Sequence, residues 1–393
     1  MRSISVLGAT GSIGESAFDL LMRSGGPDCW HVIALTGGRN IARLSEMARV
    51  LRAEIAVTAY PELAEDLQSA LMGSGIACAA GPDAIVEAAD RPADWTLSAI
   101  VGAAGLPPGL RVLERGGTLA LANKESLVAA GRLVMETATR TGARILPVDS
   151  EHSAIFQSLG SDNLENINHV TITASGGAFR DWPLERLAQA SIAEASTHPN
   201  WAMGQRITID SASMFNKALE LVETKEFFGI DPGRIKVLIH PESIIHAMVS
   251  HRDGGTIAHL GMPDMRHAIG YALHWPERAD LPVASLDLAA LGQLTFQAPD
   301  EIRWPALRLA REVMAAGGAA GAVLNGAKEQ ALDDFLSGRI RFTDMAHAVG
   351  AVLDSLTAET DFATSPSDLA TVLDWDQRAR QLAAGWAARN GGR

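Results

Sequence analysis

The sequence predicts an α/β protein in three parts: an N-terminal Rossmann-like doubly wound sheet, a central mixed α/β domain and a C-terminal α-helical bundle. Three observations carry this. Gly8 to Gly14 joins a short apolar strand to a helix; apolar runs of strand length then alternate with helical stretches as far as about residue 150; and the chain from Trp304 onward is alanine-rich and helix-periodic. With 393 residues the chain also exceeds what one hydrophobic core usually organises.

In chain order, Ser3 to Leu7, the glycine turn, a helix from Glu15 to Arg23 and a strand from His31 to Leu35 make one βαβ unit. Helices over Ile41 to Leu51 and Glu62 to Met72 and strands at Ile55 to Val57, Trp95 to Ile100, Thr118 to Leu121 and Arg144 to Pro147 extend it into a parallel sheet. Beyond Ser150 longer Gly/Ser/Pro loops interrupt strands at Val170 to Thr173, Val237 to Ile239 and Thr256 to Leu260. Helices follow over Trp304 to Ala316, Ala319 to Leu336, Phe342 to Thr357 and Ser367 to Ala388. The expected domains are therefore 1–150, 151–280 with a lid near 198–206, a connection over 281–300, and 301–393.

Composition narrows the function. A net charge of -13 opposes general nucleic-acid binding, which needs clustered Lys and Arg, but leaves room for a local anion pocket. Cys29 and Cys78 build no disulfide framework. No apolar run approaches the roughly 20 residues of a membrane span. Met1-Arg2 leads straight into Ile4 to Leu7 with no targeting segment, so a cytoplasmic protein is expected.

Glycines at the first, fourth and seventh places of Gly8 to Gly14, after a strand and opening a helix, suit a pyrophosphate; a tight turn without ligand is the alternative. The second strand ends Thr36-Gly37-Gly38-Arg39-Asn40, with no acid for a ribose 2′-hydroxyl but with an arginine suited to a 2′-phosphate, which favours NADP. Arg39 also fits a plain solvated charge. Asn123-Lys124-Glu125 follows a strand at the same sheet edge, where a nicotinamide would arrive; Lys124 fits equally a pairing with a neighbouring acid.

Asp149-Ser150-Glu151 emerges at a strand's carboxyl end, and with Glu220 it supplies three oxygen donors suited to Mg²⁺ or Mn²⁺. Helix capping explains the first two as well, and an exposed i, i+3 ion pair explains Lys217 and Glu220. Glu223 is read as a structural partner. Ser175-Gly176-Gly177 suits phosphate oxygens or a bare glycine turn. His198-Pro199-Asn200-Trp201-Ala202-Met203-Gly204 has the makings of a lid, although Trp201 alone would fit a core. His240, Glu242 and His246 are read as supporting residues.

Gly8 to Gly14, Ala122 to Ser126, Pro147 to Gln157, Ser175 to Phe179, His198 to Gly204, Asp210 to Glu220 and Gly261 to Arg266, in this order, closely resemble the 1-deoxy-D-xylulose 5-phosphate reductoisomerases. The resemblance implies an NADPH- and metal-dependent rearrangement and reduction of that sugar phosphate to 2-C-methyl-D-erythritol 4-phosphate, by a retro-aldol and aldol sequence or an α-ketol shift. It implies that Asp149, Glu151 and Glu220 hold the metal. Ser175, Ser211, Asn216 and Lys217 would hold the phosphate, Ser150 the substrate backbone, Lys124 would lie near the substrate, and His198 and Trp201 would close the lid. Thr10, Gly11, Ser12, Ile13, Gly38, Arg39, Asn40, Asn123, Glu125, Gly204 and Met265 would bind the cofactor, and a homodimer is implied. Ala178, Ser213 and Met262 depart from relatives. The rivals are a semialdehyde-type NADP dehydrogenase, which usually needs a cysteine nucleophile outside the nucleotide part, and a non-catalytic NADP sensor, which needs no metal carboxylates.

Overall fold

The computed structural model describes residues 1–160, 163–201 and 203–391. The chain divides into two compact units. The first comprises Met1–Ser126, Val134–Ser153 and Asp264–Ala284, the second Leu127–Leu133, Ala154–Pro263 and Ser285–Arg393.

The first unit is built on a parallel sheet of β1 (Arg2–Leu7), β2 (Trp30–Gly37), β3 (Ile55–Thr58), β4 (Ala77–Ala80), β5 (Trp95–Ser98), β6 (Thr118–Leu121) and β7 (Arg144–Pro147). Its order is β4-β3-β2-β1-β5-β6-β7, so the chain crosses over between β4 and β5 and leaves a switch point between β1 and β5. Ile4, Val6, Leu7, Val32, Ala34, Leu35, Ala56, Val57, Trp95 and Leu97 are all buried, as strands flanked by helices on both faces require. The strands run parallel, so the loops after β1, β2, β6 and β7, which hold most of the sequence-derived candidates, leave from the same edge.

The second unit has a mixed sheet of β8 (Ile167–Ala174), β9 (Ile235–Ile239), β10 (Ile245–His251) and β11 (Thr256–Leu260), ordered β11-β10-β8-β9. β8 and β9 are parallel and the other pairs antiparallel. Helices Gln205–Ser213 and Phe215–Phe228 follow β8, and Pro305–Ala316, Ala320–Leu336, Asp344–Thr357 and Leu369–Asn390 make the C-terminal helical part. Its alanines pack the helices closely: Ala322, Ala327, Ala331, Ala379 and Ala383 are buried.

The doubly wound sheet, mixed second sheet and helical C-terminus are as the sequence predicts. The unit boundaries differ from the expected breaks at 150, 280 and 300. Residues 264–284 belong with the first unit because the helix Arg266–His274 buries against it: the Trp95 indole N–H donates to the Ala272 carbonyl at 3.0 Å, and Arg266 pairs with Asp19 at 2.8 Å. The central and C-terminal parts fall within one unit. β4 and β10 were not foreseen; the first is Ala-Cys-Ala-Ala, which carries no strand propensity. Among the described residues no helix is long and apolar enough to cross a membrane.

Candidate active site

In the first unit, the turn from β1 enters the helix Ser12–Arg23 with Gly11 as its N-cap and no side-chain capping hydrogen bond. The opening amides are thus left for an outside acceptor. Gly14 lets helix and turn meet: a Cβ there would lie 2.2 Å from the Ala9 carbonyl oxygen. After β2, Gly38 and the exposed Arg39 lead to Asn40, whose side chain caps the helix Ile41–Leu51 by accepting from Arg43 N–H at 3.1 Å. After β6, Asn123 caps the helix Lys124–Thr141. Its amide donates to the Ile100 and Gly102 carbonyls at 2.6 and 3.0 Å and to Glu125 at 2.9 Å, which pins the loop after β5 beside the first turn of that helix. Met265 is the N-cap of Arg266–His274.

The acids lie at the next strand end. Asp149, between β7 and the helix Ser150–Leu159, is buried and takes the Lys124 ammonium at 2.7 Å. Its other oxygen meets His152 Nδ1 at 3.1 Å and accepts the Glu151 N–H at 3.2 Å. Burial pushes the Asp149 carboxyl up, but Lys124 and His152 outweigh it and hold the group well below the usual carboxylate range, ionised. A carboxylate oxygen of Glu151 lies within 4.8 Å of one on Asp149, and Ser150 Oγ donates to Glu151 at 2.5 Å. Two oxygen donors converge here, one of them a charge kept in a buried position.

The second unit gathers the remaining candidates. Ser175 follows β8. Gly177 has φ +65°, and a Cβ there would come within 2.6 Å of Ala212 and 2.7 Å of the Ser211 carbonyl oxygen, so only glycine lets the Ser175 turn seat on the helix bearing Ser211. In Phe215–Phe228, Asn216 donates to Glu220 Oε1 at 2.5 Å and Lys217 pairs with Oε2 of the same acid. Lys217 and Glu220 are 3% and 1% exposed, which removes the surface-pair alternative and makes this a charge pair inside the fold. Glu223, one turn on, is buried as well.

The stretch expected to form a lid is held from both sides. His198 Nε2 lies 2.9 Å from Ser175 Oγ, while His198 Nδ1 accepts the N–H groups of Asn200 and Trp201 at 3.1 and 2.9 Å. The Asn200 amide reaches the Pro241 carbonyl at 2.5 Å and Ser243 Oγ at 2.9 Å. Trp201 is half-buried, its ring 6.2 Å from that of His246, so it is not core. Ala202 lies outside the described residues; Gly204 is the exposed N-cap of Gln205–Ser213. His240 is fully buried, accepting the Ile244 and Ile245 N–H groups through Nε2, in keeping with a supporting role.

Sequence reasoning assigned nothing to His152, Asn200 or Lys328. Lys328 is 2% exposed and pairs with Asp210 at 2.6 Å, immediately before Ser211. Spacing gave no signal for it, because its partner lies far away in sequence.

Comparison with known proteins agrees along the whole chain. Residues 4–131 match the family 1-deoxy-D-xylulose 5-phosphate reductoisomerase, residues 145–228 its C-terminal domain, and residues 260–382 the DXP reductoisomerase C-terminal domain. Proteins described as 1-deoxy-D-xylulose 5-phosphate reductoisomerase from Paracoccus denitrificans and Ruegeria pomeroyi are 74% and 64% identical, over 98% and 100% of this chain and 99% of each relative. Among solved structures, the Zymomonas mobilis reductoisomerase in complex with NADPH is 46% identical with TM-score 0.91, covering 98% of this chain and 99% of its own. A DOX-P reductoisomerase in complex with NADPH, fosmidomycin and magnesium is 37% identical with TM-score 0.93 over 100% of both chains.

Proposed function

The chain belongs to the 1-deoxy-D-xylulose 5-phosphate reductoisomerase family, and on that premise we propose how its residues divide the work. The reaction is the NADPH- and divalent-metal-dependent rearrangement and reduction of 1-deoxy-D-xylulose 5-phosphate to 2-C-methyl-D-erythritol 4-phosphate, in non-mevalonate isoprenoid precursor synthesis. Asp149, Glu151 and Glu220 hold one cation, Mg²⁺ or Mn²⁺. The observation that carries this is Asp149 itself, a carboxylate kept ionised in a buried position beside Lys124 and His152. Hard oxygen donors of this kind fit such a cation. Opening amides after Gly11 and the exposed Arg39 fit the pyrophosphate and 2′-phosphate of NADPH.

When bound, the cation supplies Lewis-acid polarisation of the ketone and hydroxyl oxygens, and NADPH supplies the hydride. The chain's residues do the remainder. Thr10, Gly11, Ser12 and Ile13 seat the pyrophosphate and Gly38, Arg39 and Asn40 the adenosine end; Asn123, Glu125, Gly204 and Met265 seat the nicotinamide. Ser175, Ser211, Asn216 and Lys217 donate to the substrate phosphate, and Ser150 to its backbone. Lys124 keeps Asp149 ionised and faces the substrate, and His198 and Trp201 close over it and exclude water.

We place the enzyme in the bacterial cytoplasm as a homodimer. In support, β11 is an edge strand carrying the exposed Ile257, and Leu288, Phe296 and Ile302 are exposed after it. A sedimentation mass of one 41.5 kDa chain would sink the dimer.

The test of the metal set is oxidation of NADPH followed by absorbance with 1-deoxy-D-xylulose 5-phosphate, with Mg²⁺ or Mn²⁺ and then with chelator. Turnover should require the cation. Asp149→Asn should lower kcat by at least about 10³-fold while NADPH binding stays normal. Normal turnover in that variant would remove Asp149 from the set.

A further inference from the structure

Arg39 stands in the loop after β2 and is the side chain expected at the NADPH 2′-phosphate. The loop after the neighbouring β3 reaches it. β2 and β3 pair as far as Gly37 and Thr58, Thr58 Oγ1 donates to the Gly38 carbonyl at 3.0 Å, and Ala59 N–H donates to Gly37 at 2.9 Å. This places two unassigned side chains on Arg39. The guanidinium carbon lies 3.8 Å from the centre of the Tyr60 ring, and Nη1 lies 3.1 Å from Glu62 Oε1. A Cβ on Gly38 would sit 3.7 Å from the same Tyr60 ring, so ring, glycine and guanidinium form one contiguous patch.

We propose that Tyr60 and Glu62 set, through Arg39, how strongly this chain prefers NADPH over NADH; the inference rests on the cofactor reading above. A guanidinium offers a planar fork to a phosphate, and a stacked guanidinium gives up less side-chain freedom on meeting one. Tyr60 covers one face and leaves the edges for hydrogen bonds, so it favours the 2′-phosphate. Glu62 does the opposite. Its carboxylate occupies a donor edge and repels a second anion, so it stands where the 2′-phosphate must compete. NADH brings no 2′-phosphate and is indifferent to both. Arg39 and Glu62 are well exposed, their side chains 64% and 56% accessible, so water screens the pair and each effect is a few-fold.

The experiment is titration of the folded protein, without substrate, by NADPH and by NADH, following nucleotide fluorescence. Tyr60→Leu should raise the NADPH Kd about two- to fivefold, and Glu62→Gln should lower it about two- to threefold, with NADH unmoved. In an Arg39→Ala background both changes should vanish, the coupling a double-mutant cycle reads. The inference is overturned if NADPH and NADH shift together, if neither shifts, or if the Tyr60 effect survives without Arg39. In each of those cases an Arg39→Ala protein that has lost its NADPH preference still upholds the cofactor reading. Equal losses of both nucleotides in Arg39→Ala would instead overturn the 2′-phosphate contact itself, and the inference with it.

Discussion

At Ser175 the direction of each hydrogen bond follows from its partners. His198 Nδ1 accepts two backbone N–H groups, so the ring proton sits on Nε2 and is donated to Ser175 Oγ. The same oxygen accepts Gly177 N–H at 3.1 Å. With two bonds accepted, the Ser175 hydroxyl keeps its own proton to donate, as the proposed phosphate-binding role requires. The arrangement needs a neutral imidazole, and burial pushes His198 down to about 4. A histidine lowered in this way favours the folded state fully above its unfolded value of about 6.5. That contribution is lost as pH falls from there through about 4. In a histidine NMR titration, His198 should therefore show no midpoint near 6.5 and should protonate close to 4; an ordinary midpoint would disprove the Nδ1 acceptor role. The sequence displayed His198 and Ser175 as candidates, but the tautomer depends on loop amides that no spacing reveals. In the same way, Lys217 and Glu220 were legible as a pair, while their burial was not.

Among the elements, the helix Gln205–Ser213 carries Ser211, and ion pairs tie it to the helix Ala320–Leu336. Arg206 at its start holds Glu329 at 2.8 Å and Asp333 at 2.5 Å; Asp210 near its end holds Lys328 at 2.6 Å, and Lys328 also meets Glu329 at 2.7 Å. Helix periodicity was readable over Ala319 to Leu336, whereas the stretch before Ser211 read as a loop and a small polar run. The pairing was not readable, because it is set by tertiary packing between segments remote in the chain. Burial raises the Glu329 carboxyl, but Lys328 and Arg206 more than offset this and bring it down to about 2. A depressed acid stabilises the fold fully above its ordinary value, near 4.5, and the contribution disappears as pH falls through about 2. Glu329→Gln should therefore destabilise by on the order of 2–4 kcal/mol at neutral pH, leaving Lys328 and Arg206 short of a partner. It should also flatten the loss of stability between about pH 4.5 and 2. Denaturant melts of both proteins across that range check it; parallel acid limbs would show that Glu329 carries none of the dependence.

For the whole molecule, alternation of strands and helices announced a nucleotide-binding sheet, and the structure contains it, but the chain does not finish that unit where the pattern ends. Apolar periodicity reports what an element buries, not against which partner, so the helix Arg266–His274 read as part of the central region. It belongs instead with Trp95, which is fully buried and gives its indole N–H to Ala272. Trp30 stacks edge-on with His274 at 5.9 Å, and the Arg144 guanidinium lies 4.5 Å from the Trp275 ring centre. Removing residues 264–284 would bare this apolar surface and leave the Trp95 donor without its acceptor, a loss of several kcal/mol against a domain stability of about 5–15 kcal/mol. A fragment of residues 1–150 should therefore fail to unfold cooperatively and should bind a hydrophobic dye, whatever the quality of its glycine turn. Adding the segment 264–284 in trans as a synthetic peptide should quench the dye and restore a melting transition. Cooperative melting of the 1–150 fragment alone would show that the sheet is self-sufficient and that the returning helix is an accessory to it.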